Sequence, residues 1–101
     1  MLSEDAQAEL KTIMDMINQL FAYSVEAFDK RDFAILDKVD EFEEKIDNYS
    51  AELELRHVER LKQGKCSAQT GSIYLQTVSH IERVGDHITN MAFSIKQYRH
   101  K

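Results

Sequence analysis

The chain has 101 residues, 43% of them hydrophobic, with one cysteine and no proline. That is enough for one core, too little for two ordinary domains, and it leaves the fold without an internal disulfide. A formal charge of −5 argues against a non-specific binder of nucleic acid or an anionic membrane surface, both of which need a positive face to neutralise phosphates, so cations or basic partners are expected instead and nucleic acid is not.

Three glycines and abundant Glu, Lys, Leu, Ala, Gln and Met favour helix throughout. A first helix is predicted over about 4–28. Ser3 is its cap, Glu4 and Asp5 sit at its positive end, and Leu10, Ile13, Met14, Ile17, Leu20, Phe21, Val25 and Phe28 form its apolar stripe. DKRD (29–32) breaks the pattern, and Asp32 can cap the next helix. A second helix is predicted over about 33–63, carried by Ile35, Leu36, Val39, Phe42, Ile46, Tyr49, Leu53 and Leu61. Arg56, Arg60 and Lys62 in its last turns, with Gly64 just beyond, are its stop signals.

After KQGKC, Ser67 can cap a third helix over about 68–98. Its expected core stripe is Ile73, Thr77, Ile81, Val84, Ile88, Met91, Ile95 and Tyr98. Short connections make consecutive helices antiparallel, so the expected fold is all-α: one domain over 1–101, an up-down-up three-helix bundle. No apolar run approaches the ~20 residues that cross a bilayer, and MLSEDAQAEL lacks the basic start and apolar stretch of an export signal. A soluble chain in a reducing compartment, taken as the cytoplasm, is the expectation.

Two pairs of acids recur four residues apart, Glu43 with Asp47 and Glu82 with Asp86. At about 100° per residue each pair occupies one helix face one turn apart. Measured from a core stripe centred on Val84 and Ile88, Glu82 and Asp86 point away from the bundle. They share a mixed outward face with Leu75, Val78, Gly85 and Phe93, which makes those four candidates for a partner interface. Glu43 and Asp47 border the second helix's core stripe beside Asp40 and Glu54. Carboxylates this close raise one another's pKa unless a cation or basic side chain compensates, and hard cations suit oxygen ligands. A solvated acidic face with Arg83 and Lys45 as partners accounts for the same spacing.

The stretches EEKIDNY, LKQGKCSAQTG and ERVGDHITNMA together resemble a PhoU-like repeat, most closely the cytoplasmic C-terminal region of bacterial sodium/phosphate cotransporter family proteins. The resemblance implies a non-catalytic three-helix repeat that regulates phosphate transport or signalling and is usually packed against a second copy. It also implies metal sites on Glu-x-x-x-Asp motifs, here Glu43, Asp47, Glu82 and Asp86 with Asn90 one turn further, for divalent or ferric ions such as iron or zinc. The implied partners are a second repeat or self-association, and the membrane domain of a phosphate transporter or a phosphate signalling protein. The implied location is cytoplasmic, as an inner-membrane transporter's tail or as a free-standing single repeat. A purely structural helical oligomerisation domain without metal is the alternative, and a di-iron carboxylate bundle enzyme the more remote one.

Glu54 and His57 match the Glu-x-x-His spacing of di-iron bundles, but the motif occurs once where such a centre needs two. His80 and His87, seven apart, read as boundary residues, and His100 falls in the basic tail. Cys66 sits before a helix start with no second cysteine to pair with, and reads as a packed linker residue.

Overall fold

The computed structural model describes residues 3–94 and places three helices in them: α1 (Glu4–Lys30), α2 (Phe33–Lys62) and α3 (Ala68–Phe93). Each helix packs on the other two, giving an up-down-up bundle of 56 × 19 × 18 Å. No described helix is long and apolar enough to cross a membrane. The predicted continuation of the third helix to Tyr98, with Ile95 and His100, lies outside the described residues.

Local chemistry sets the helix ends. Ser3 Oγ accepts from Ala6 N at 3.1 Å, Asp32 Oδ1 from Ala34 N at 3.0 Å and Ser67 Oγ from Thr70 N at 3.1 Å, so three side chains satisfy otherwise orphaned amides. Gly64 turns left-handed (φ 69°) after α2, where Lys65 N bonds back to Arg60 O at 2.9 Å. α1 runs two residues past its predicted end, into the DKRD break, and is capped by Arg31, whose φ of 50° is left-handed without being glycine.

The core is Ile13, Ile17, Leu20 and Ala27 of α1, Leu36, Val39, Ile46 and Leu53 of α2, and Tyr74, Val78, Ile81 and Ala92 of α3, with Ala6 at one end. For α2 this is the expected stripe. In α3 the inward face is not. The helix turns Gly71, Tyr74, Val78, Ile81, Gly85, Thr89 and Ala92 inward, leaving Ile73, Val84 and Met91 about half exposed or more. The expected interface residues Val78 and Gly85 are therefore inside the chain's own bundle, and Leu75 and Phe93 pack half-buried against it.

Helix proximity explains the reversal. A Cβ on Gly85 would stand 3.2 Å from Ile17 Cδ1, and one on Gly71 would stand 2.7 Å from His57 Nε2. α3 approaches its neighbours through small residues, and a search for large aliphatic residues at helical spacing passes over such a face. α1 likewise carries two apolar stripes about 100° apart. Ile13, Ile17 and Leu20 are buried, while Met14, Phe21, Val25 and Phe28 face outward.

Candidate functional site

Rotating α3 brings its acids toward α2. Glu43, half-buried on α2, meets Asp86 of α3 closely enough for the two carboxyls to share a hydrogen bond. Burial first, and then Asp86, pushes the Glu43 carboxyl up to about 7, with Asp47 adding repulsion. Asp47 is raised by burial and by the charge of Asp86. Glu82 is raised by burial, then by Glu54, with Asp47 and Asp86 contributing less. The four acids predicted as two separate pairs thus form one interacting flank along the α2/α3 seam, and Glu54 joins it.

Two hydroxyls lie beneath this flank. Ser50 Oγ and Thr89 Oγ1 are buried without a hydrogen bond of good geometry, yet each faces a carboxylate, Ser50 toward Glu82 and Thr89 toward Glu43, and favours its ionised form. No basic side chain answers these charges: among the described residues none of Glu43, Asp47, Glu82 and Asp86 forms a salt bridge. Lys45, an expected partner, instead sets its ammonium over the Phe42 ring at 5.2 Å, and Arg83 is exposed. Asn90 is exposed one turn beyond Asp86. The acidic surface continues along α2 as a shallow depression of about 610 Å³ lined by Asp37, Asp40, Glu41, Glu43, Glu44 and Asp47.

Among the described residues, no three His, Cys, Asp or Glu side chains are already gathered closely enough to hold one metal ion. The flank is a surface of mutually repelling oxygens, able to take up protons or cations, and a closed cage is not preformed.

The opposite end of the bundle holds a second polar cluster. Glu9, only 7% exposed, accepts from Arg60 at 2.9 and 3.1 Å, from Arg56 at 3.3 Å and from the Tyr74 hydroxyl at 2.7 Å, so one carboxylate joins all three helices. Burial works to raise this carboxyl, but its bonds to Arg60, Tyr74 and Arg56 together outweigh that and hold it below its ordinary value. His57 is buried and stacks on Tyr74 with ring centroids 4.5 Å apart. Its pKa is lowered by burial and then by the Arg60 charge.

The His57 ring nitrogens face Arg60 Nη2 at 3.2 Å and Cys66 Sγ at 3.6 Å, while Glu54 lies exposed on the acidic flank. The structure therefore does not bring the Glu54–His57 pair together as metal ligands, and Cys66 is a half-buried thiol against the helix ends. Spacing did carry a signal for Glu9, since it falls between Ala6 and Ile13 on the buried stripe, a position at which an acid requires partners.

The family model described as PhoU domain matches residues 10–95. A curated relative from Thermotoga maritima, "Phosphate-specific transport system accessory protein PhoU homolog 1", is 28% identical over 83 residues. The match takes in 82% of this chain and 36% of that protein, so the chain spans about a third of its relative's length. No solved structure matched the chain.

Proposed function

The chain belongs to the PhoU domain family, and on that premise we propose that it is a non-catalytic regulatory module of phosphate transport acting on the cytoplasmic side of the membrane. The observation that carries this reading is the family match across 86 of the 101 residues, 10–95. The relative named as an accessory protein of phosphate-specific transport supports it. In its finer form the chain is the PhoU-like tail of a sodium-dependent phosphate symporter. Its partners are the transporter's membrane domain or a phosphate signalling protein, together with a second copy of the repeat.

Within this role the α2/α3 flank is the working surface. Four neighbouring carboxylates, of which Glu43, Asp47 and Glu82 are raised, without a basic partner among the described residues favour a divalent or ferric cation, iron or zinc among them, held by some of Glu43, Asp47, Glu82 and Asp86 with Asn90 at the margin. Ion entry would replace the repulsion between Glu43 and Asp86 with shared coordination, which links ion occupancy to the packing of α2 on α3. A basic segment of the transporter or signalling partner would satisfy the same charges and is the competing occupant of this flank.

Phosphate uptake in cells lacking the gene tests the role. Uptake that responds to external phosphate differently from the parent strain, and recovers when the chain is restored, is expected; identical uptake in both strains contradicts it. Elemental analysis after purification without chelator tests the ion. Metal should accompany the native chain and be lost from a Glu82→Gln, Asp86→Asn variant, whereas equal content in the two removes the ion from this flank.

A further inference from the structure

The α2/α3 seam changes character halfway along. Near the turn that joins the two helices it is a groove of about 440 Å³, lined by Leu61, Leu75, Ala68 and Gly71 and edged by Ser72 and Ser79. Further along, it is the acidic flank. We infer that the whole seam is the docking site of a basic amphipathic helix of a partner protein, whose apolar turns fill the groove and whose cationic turns lie on the flank. The inference rests on the partner included in the proposed function, and gives it a surface and a chemistry.

Two rows of side chains make the change. On α3, Leu75, Ser79, Glu82 and Asp86 succeed one another at four, three and four residues. On α2, Leu61, Val58, Glu54 and Asp47 run the other way at three, four and seven, so each row keeps to one helix face. The antiparallel rows are in register. A Cβ on Gly71 would stand 3.2 Å from Leu61 Cδ2, Glu54 lies close enough to Glu82 to raise it, and Glu43 meets Asp86. Apolar side chains therefore adjoin apolar ones, and acids adjoin acids. From Ser72 to Asp86 the seam runs ~21 Å, about four turns of a helix. Ala68, Ser72 and Ser79 are small and exposed, which lets a helix approach the groove closely.

Charge decides the occupant. Among the described residues no salt bridge reaches Glu43, Asp47, Glu54, Glu82 or Asp86. The Ser50 and Thr89 hydroxyls beneath them, 0% and 6% exposed, complete no hydrogen bond of good geometry. The flank's oxygens are thus not answered from within the chain. An acidic helix or an anionic bilayer would be repelled here, and a wholly apolar helix would desolvate carboxylates without pairing them. A free cation would neutralise the flank but leave the groove uncovered. A helix with leucine-like side chains in its first turns and arginine or lysine in its last satisfies both halves at once, through helix-in-groove packing and charge-assisted hydrogen bonds.

Fluorescence anisotropy tests the site with a labelled alanine-based peptide of about 15 residues, carrying leucines in its first two turns and arginines in its last two. The full chain is titrated to about 100 µM with chelator present, so that no ion takes part. Micromolar binding is expected, and the same peptide with glutamate for arginine should not bind. Ser72→Gln with Ser79→Gln, and separately Glu54→Gln with Asp86→Asn, should each weaken binding about tenfold, while Ile73→Ser with Val84→Ser on the far side of α3 should leave it unchanged. All these positions except the two glutamine-replaced serines' groove floor are left intact, and circular dichroism confirms that each variant is folded. Loss with only one of the first two pairs overturns the seam as a single site. Equal binding of the glutamate peptide, or binding of neither, overturns the docking site and leaves the transport role to uptake and the ion to elemental analysis. A dimer of the chain alone that Ser72→Gln with Ser79→Gln dissociates in sedimentation gives the groove to a second copy, and overturns the inference likewise.

Discussion

Glu9 shows how much a single side chain can hold in so slender a bundle. Its folded pKa lies below the ordinary value of 4.5. The ionised carboxylate therefore contributes stability that is fully present above about pH 4.5 and is lost as pH falls through the folded pKa. Glu9→Gln should cost about 2–4 kcal/mol at pH 7, because Arg60 would keep a largely buried charge with its main acceptor weakened. Urea unfolding at pH 7 and pH 4 measures both effects, and the variant should show the flatter dependence on acid. At Arg31 the expected sign is opposite. A non-glycine residue at φ 50° is strained, so Arg31→Gly should stabilise by up to about 1 kcal/mol, the relief of strain exceeding the entropy that glycine adds to the unfolded chain.

The helices themselves were largely legible in the sequence because their signals are local. Ser3, Asp32 and Ser67 cap as their positions imply, and Gly64 takes the left-handed turn. The inward face of α3 was not legible, since it depends on what the neighbouring helices present. Apolar spacing favoured Val84, Ile88 and Met91, whereas packing chose Gly71, Val78, Gly85 and Ala92, whose small or slim side chains let α3 come close to Ile17 and His57.

Mutations separate these two faces directly. Val78→Ala should cost about 2 kcal/mol and Val84→Ala less than about 0.5 kcal/mol, both read from chemical denaturation. Gly71→Ala should cost about 1–3 kcal/mol, because its Cβ would press to 2.7 Å on the buried His57 ring. The acid pairs were legible as pairs, but their convergence was not, because the same four-residue spacing fits an outward face and a seam equally well.

Across the whole molecule, the acidic flank carries a cost in stability that the proposed function would explain. The folded pKa of Glu43 is raised from 4.5 to about 7. Its protonated form therefore favours folding below pH 4.5, and that contribution is lost as pH rises through 7. At pH 8 the ionised flank is a net cost. Glu43→Gln should accordingly raise stability at pH 8 by about 1–2 kcal/mol, after allowance for solvent screening of a half-exposed site, and change little at pH 4. A protein that keeps such a cost is expected to recover it when something cationic binds.

Phosphate uptake tests the proposed role of this flank in the cell, with the chromosomal copy replaced by a Glu43→Gln, Asp47→Asn, Glu82→Gln, Asp86→Asn variant that is shown to be folded and present at normal abundance. The predicted result is loss of phosphate-responsive control equal to deleting the gene, despite the variant's greater stability at neutral pH. Control indistinguishable from wild type would contradict the assignment of the α2/α3 flank as the working surface.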